Sequence, residues 1–158
     1  MKSQRNKQDK KIMARSSTRK RIIIAIDQSD YAEKVMKAAY DVAENIDADV
    51  NILTVIETPE LAAAGELDSA QMDEEEKKTS EYQKRLIDTN FSGSTLLVES
   101  IILHGDPVKK ICEFADKVHA SLVVIGTRGH GKIQSKLLGS VSDKVIKNCH
   151  CSVLIVRK

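Results

Sequence analysis

The sequence predicts one α/β domain built on a doubly wound, five-stranded parallel sheet with helices on both faces. Three observations carry that expectation. Short apolar runs at 21–27, 50–56, 95–103, 122–126 and 152–156 are rich in β-branched residues and lack polar alternation, as strands covered on both faces require. Stretches with helical periodicity separate these runs. A length of 158 residues suits a single domain with its own core.

RIIIAID (21–27) is the first strand, and the period then changes. Ala32, Val35, Met36, Ala39, Ala43 and Ile46 recur at three- and four-residue spacings, placing an apolar stripe on a helix that opens near Ser29 or Asp30, both good N-caps. VNILTVI (50–56) is the second strand. Residues 58–69 carry little definition, and a charged helix over about 70–88 follows, with Met72, Tyr82, Leu86 and Ile87 as its candidate contacts. TLLVESIIL (95–103) is the third strand. Asp106 as N-cap and Pro107 in the first turn open the next helix, with Val108, Ile111, Cys112, Ala115 and Val118 on one face. LVVIG (122–126), a short helix SVSDKVIKNC and SVLIV (152–156) complete the chain.

Charge divides the chain into an arm and a body. Residues 1–21 hold nine of the 25 basic residues and one of the 23 acidic ones, so the remainder is acidic although the whole carries +2. Residues 1–20 therefore read as a basic flexible arm, solvated or touching nucleic acid, ahead of a domain over 21–158. No apolar run is long enough to span a bilayer, and none follows the basic residues as a secretory signal would require. Cys112, Cys149 and Cys151 are an odd set without a disulfide-framework pattern, which points to a reducing cytoplasm. A zinc site on Cys149, His150 and Cys151 lacks a matching second pair of ligands.

The chemistry concentrates in VVIGTRGHGKIQSKLLGSVSDKV (123–145). It is not a GxxxxGK[ST] phosphate loop, because Ile133 stands where the magnesium-binding hydroxyl belongs. It is not GxGxxG either, because Gln134 stands where the last glycine is required. The spacing that holds is Gly126-x2-Gly129-x9-Gly139-Ser140. Gly126 and Gly129 would let the backbone approach an anion and permit positive φ. Gly139 and Ser140 would open a helix whose amides and dipole favour negative charge. On spacing alone, a strand end, two turns and a Ser140-x-x-Asp143 cap explain the same residues equally well.

Together with IAIDQSD, GDPVKKI and CSVLIVRK, this motif resembles the ATP-binding branch of the universal stress protein family over about residues 20–158. The resemblance implies a Rossmann-like fold of the adenine nucleotide alpha hydrolase type, with ATP in the crevice between the first and fourth strands. Asp27 and the Ala25 and Ile26 backbone would then meet adenine, with Val55 packing on it. Gly126 and Gly129 would line the ribose and inner phosphates, and Gly139, Ser140 and Val141 the outer ones, with Mg or Mn accompanying the nucleotide. Arg128, His130 and Lys132 make the loop more basic than backbone binding needs, either attracting phosphate or standing solvated. Relatives pair as dimers through the last strand, here Ser152 to Val156. The implied role is a cytoplasmic, dimeric, nucleotide-dependent stress-response or signalling module. Its rivals are a slow ATPase on the same fold and a dimer scaffold that binds no nucleotide. No residue is assigned to efficient catalysis or to a metal held by protein alone.

Overall fold

The computed structural model describes residues 19–57, 69–127 and 139–157. The strands are β1 (Arg21–Ala25), β2 (Asp49–Ile56), β3 (Val98–His104), β4 (Leu122–Gly126) and β5 (Ser152–Val156). The helices are α1 (Ala32–Asn45), α2 (Ser69–Asn90), α3 (Pro107–Lys117) and α4 (Ser140–Asn148). The strands form one sheet in the order β3-β2-β1-β4-β5, and every pairing is parallel.

Alternation along β1 assigns the two layers. Ile22, Ile24 and Ile26 join Val35, Met36, Ala39 and Leu86 in one core beneath α1 and α2. Ile23 and Ala25 turn the other way and join Ile111, Phe114, Ala115 and Val145 beneath α3 and α4. Ile22, Ile23 and Ile24 are fully buried, and each isoleucine contributes about 1.5–3 kcal/mol by leaving water. A strand flanked on both faces must read as an unbroken apolar run, which is why RIIIA does.

α3 follows the sequence closely. The Asp106 side chain accepts from the Lys109 amide at 2.8 Å, and Pro107 occupies the first turn where its missing N–H costs nothing. Gly105 precedes it at φ +125°, a conformation that only glycine adopts without strain, and its amide donates to the Ile56 carbonyl at 3.0 Å.

Other expectations need correction. Neither Ser29 nor Asp30 caps α1: the cap position is Tyr31, with no side-chain hydrogen bond, because the Ser29 amide and hydroxyl both turn back to the Asp27 carboxylate. Ile46 is not on the buried stripe. It lies past the end of α1 and is 40% exposed, and Asp47 follows at φ 49°, turning the chain out of the helix. The inward face of α2 includes Leu86 with half-buried Tyr82 and Ile87, as expected, but also the fully buried polar pair Thr79 and Gln83. The Gln83 amide nitrogen donates to Thr54 Oγ1 at 2.9 Å and to the Ile101 carbonyl at 3.1 Å, while its oxygen accepts from Ser100.

The cysteines also depart from expectation. Cys112 of α3 and Cys149, at the end of α4, form a disulfide with Cα atoms 4.9 Å apart, and Cys151 remains a thiol. An odd count hid the pair because its partners lie 37 residues apart, and spacing does not encode connectivity.

Candidate functional site

In the order β3-β2-β1-β4-β5 the winding reverses between β1 and β4, and in open α/β sheets ligands bind beyond the carboxyl ends of the strands at such a point. β1 delivers Ala25, Ile26 and Asp27 there. Ala25 lies between Leu53 of β2 and Ile125 of β4 and faces the α3/α4 layer. Ile26 sends its side chain into the opposite core, and its amide donates to the Leu53 carbonyl at 3.0 Å.

Asp27 is half-buried at the strand exit, where its Oδ1 accepts from the Ser29 amide at 3.1 Å and from the Ser29 hydroxyl. Such an Asx-type turn orients the carboxylate locally. Tyr82 of α2 closes the turn from behind, donating its phenol to the Ser29 carbonyl at 3.1 Å. Burial pushes the Tyr82 phenol up from its ordinary value, and the Asp27 charge pushes in the same direction.

Val55, near the end of β2, is half-buried and packs into the same layer as Val108, Val141 and Ala25. These residues make an apolar wall below the rim. On the β4 side, Gly126 does not take the positive φ that its type permits. Its missing side chain makes room for α1 instead: a Cβ there would lie 2.9 Å from Tyr31 Cδ1 and 3.1 Å from Val35 Cγ2. The space is therefore filled by protein.

Gly139 likewise has an ordinary backbone, φ −69° and ψ 161°. Its amide donates to the Thr127 carbonyl at 2.8 Å, and a Cβ would stand 2.9 Å from the same oxygen. Thr127 is 5% exposed and its own amide donates to the Val156 carbonyl at 3.0 Å, so one residue ties β4, β5 and the start of α4 together. Gly139 is the N-cap of α4, and no side chain among the described residues caps that end. The expected Ser140-x-x-Asp143 cap does not form: Ser140 is the first helical residue, Asp143 pairs with Lys147 at 2.8 Å, and the Ser142 hydroxyl donates back to the Gly139 carbonyl at 3.1 Å. A helix start lacking a side-chain cap offers first-turn amides, at Ser140 and Val141, to an anion.

The described rim thus brings together Ala25, Ile26, Asp27, Val55, Gly126, Gly139, Ser140 and Val141. Arg128 and Gly129, with His130, Gly131 and Lys132, lie outside the described residues. Tyr31 and Thr127 were missed. Neither carries a chemical signature in sequence, since Tyr31 acts by filling the space over Gly126 and Thr127 by its backbone. No group of three or more His, Cys, Asp or Glu among the described residues is arranged to hold a metal ion. No helix among them is long and apolar enough to cross a membrane.

Comparison with known proteins agrees with this architecture. The universal stress protein family model matches residues 18–157. Universal stress protein MJ0531 of Methanocaldococcus jannaschii is 35% identical over 144 residues, covering 88% of this chain and 82% of its own. YxiE of Bacillus subtilis, also a universal stress protein, is 29% identical over 145 residues, covering 87% and 98%. Among solved structures, UspA from Lactobacillus plantarum superposes with a TM-score of 0.76 at 22% identity, covering 90% of this chain and all of that one. A universal stress protein solved in complex with cAMP gives 0.69 at 27% identity, covering 89% and 98%. With a family match spanning every described strand and helix, the chain belongs to the universal stress protein family.

Proposed function

We propose that this protein binds ATP at the β1/β4 rim and works as a nucleotide-dependent stress-response or signalling module. The observation that carries the reading is the start of α4: it has no side-chain cap among the described residues, is docked by Gly139 onto Thr127, and stands at the same end of the sheet as the oriented Asp27 carboxylate. The residues suit the ligand's parts. Ala25, Val55 and Val141 offer an apolar wall to a base, Asp27 an acceptor for its N–H groups, and Ser140 and Val141 amides to phosphate oxygens. The relative solved with cAMP supports an adenine nucleotide as the ligand class. Hydrogen bonds to charged groups contribute about 1.5–3 kcal/mol each, so micromolar binding near −8 kcal/mol requires several contacts. A triphosphate can supply them from the rim and the 126–139 segment. A divalent ion, Mg or Mn, would be shared among its phosphates.

Among the described residues β5 is an edge strand with half-buried Val153, Leu154 and Ile155, and such an edge favours pairing with a second copy through Ser152–Val156. Cytoplasmic residence and a basic arm over residues 1–20 belong to the same proposal.

The test is direct. Nucleotide released by denaturing freshly purified protein is identified chromatographically, and calorimetry is run with ATP, AMP and cAMP. Micromolar ATP binding that weakens at least tenfold in Asp27→Ala supports the reading. Absence of both released nucleotide and binding heat overturns it.

A further inference from the structure

The disulfide between Cys112 and Cys149 lies outside the rim, yet it holds the helix whose other end forms that rim. α4 has only nine residues, and isolated helices so short are marginal in water, so its order comes from its anchors. Three are evident. Gly139 is docked on Thr127 at the start, Ser142 and Val145 are buried in the middle, and Cys149 is joined to α3 at the end. Val141 is half-buried against the same layer, whereas Lys144, Lys147 and Asn148 are exposed and Ile146 is 43% exposed. The nearby His150–Asp116 pair, at 3.3 Å, joins the same two regions but is exposed, and such pairs contribute little.

We propose that Cys112–Cys149 is a reversible redox latch, opened by a small dithiol and closed by peroxide, that sets how firmly α4 is held against α3. Cys149 is half-buried whereas Cys112 is buried in the helical layer, so the Cys149 side of the bond is the one we assign to the incoming thiolate. Attack there breaks the S–S bond, leaves the reductant joined to Cys149, and releases Cys112 as a thiolate that takes a proton. The second thiolate of the dithiol then attacks its own sulfur in the mixed disulfide and frees Cys149. The reductant leaves as a cyclic disulfide. In closing, the Cys149 thiolate attacks one oxygen of hydrogen peroxide, the O–O bond breaks, and the departing hydroxide takes a proton from solvent to become water, leaving Cys149 as the sulfenic acid. Cys112 then displaces hydroxide from the sulfenic acid, yielding the disulfide and a second water. Burial pushes the Cys151 thiol up, and the Asp116 charge also raises it, which keeps this third cysteine protonated and out of the exchange.

The latch stands without the nucleotide reading, but its effect on phosphate binding rests on it. Full-length protein prepared without reductant is alkylated under denaturing conditions before and after dithiothreitol, then after hydrogen peroxide. One modified cysteine, then three, then one is the expected series. In parallel, hydrogen exchange of the Asp143–Asn148 amides becomes at least tenfold faster on reduction, while α1 is unchanged. Cys149→Ser reproduces the reduced behaviour, and Cys151→Ser keeps the wild-type response. If Cys149→Ser does not fold, reduction of the wild type carries the test. Three alkylated cysteines after peroxide, or α4 exchange indifferent to reduction, overturns the latch. Failure of the nucleotide reading is distinguished by absence of ATP heat in both redox states, which leaves the exchange result as the measure of the latch.

Discussion

The Gly139 amide donates to the Thr127 carbonyl at 2.8 Å, and the place where a Gly139 side chain would begin is 2.9 Å from that same oxygen. The hydrogen bond and the bare α-carbon are one requirement: α4 reaches the strand backbone only because nothing intervenes. Gly139→Ala forces the helix start away from Thr127. We expect a loss of about 1–3 kcal/mol in urea denaturation, the usual cost of overpacking, and weaker ATP binding by calorimetry.

Gly126 makes a parallel case against an aromatic ring. A methyl group there meets Tyr31 Cδ1 at 2.9 Å, so Gly126→Ala destabilises by about 1–3 kcal/mol. Tyr31→Ala opens the space, and the double variant should recover about 0.5–2 kcal/mol relative to additivity. An additive double-mutant cycle in thermal or chemical unfolding would disprove the contact.

Gln83 is fully buried and serves Thr54, Ser100 and the Ile101 carbonyl together. Gln83→Met keeps much of the volume and strands those partners, so we expect a cost of about 1–3 kcal/mol per stranded group, read from the denaturation midpoint.

The disulfide closes a loop between positions 37 residues apart, for which chain entropy predicts about 4 kcal/mol of stabilisation. Cys112→Ala, or reduction at fixed pH, should lower the unfolding free energy by about 2–4 kcal/mol. A change below 0.5 kcal/mol, about what an ordinary surface substitution produces, would show that the bond constrains nothing.

Tyr82 gives a pH signature. Its phenol is raised above the ordinary 10.0, first by burial and then by Asp27. The folded state therefore holds this proton more tightly than the unfolded chain. The associated stability is fully present below pH 10 and is lost as pH rises from there through the folded value. Tyr82→Phe should flatten the alkaline limb of stability against pH, and Asp27→Asn should shift the tyrosine titration at 295 nm downward.

Parts of this molecule were written plainly in its residues. RIIIA and LVVIG announce strands because burial on both faces leaves no room for polar alternation, and Asp106-Pro107 announces a helix because both satisfy its first turn chemically. Gln83 and Thr79 were invisible for the converse reason. Pattern reading assigns polar residues to solvent, and only the folded sheet supplies the partners that let them go inside. The strand order sets Asp27, Gly126 and Gly139 at the rim, but the use of Gly126 was not legible in the sequence. Its neighbour Tyr31 comes from the opening of α1, far away along the chain. The Cys112–Cys149 pair was hidden in the same way, by a proximity that only tertiary structure creates.

Arg19 meets Asp47 at 3.2 Å, and Arg21 donates to the Val118 carbonyl at 3.2 Å, which pins the entry of β1 at the floor of the sheet. All five strands run the same way, so this entry and the proposed nucleotide crevice occupy opposite poles, about 20 Å apart along β1. A tether attached ahead of Arg19 would consequently hold the molecule by its base, with the crevice facing outward into solution.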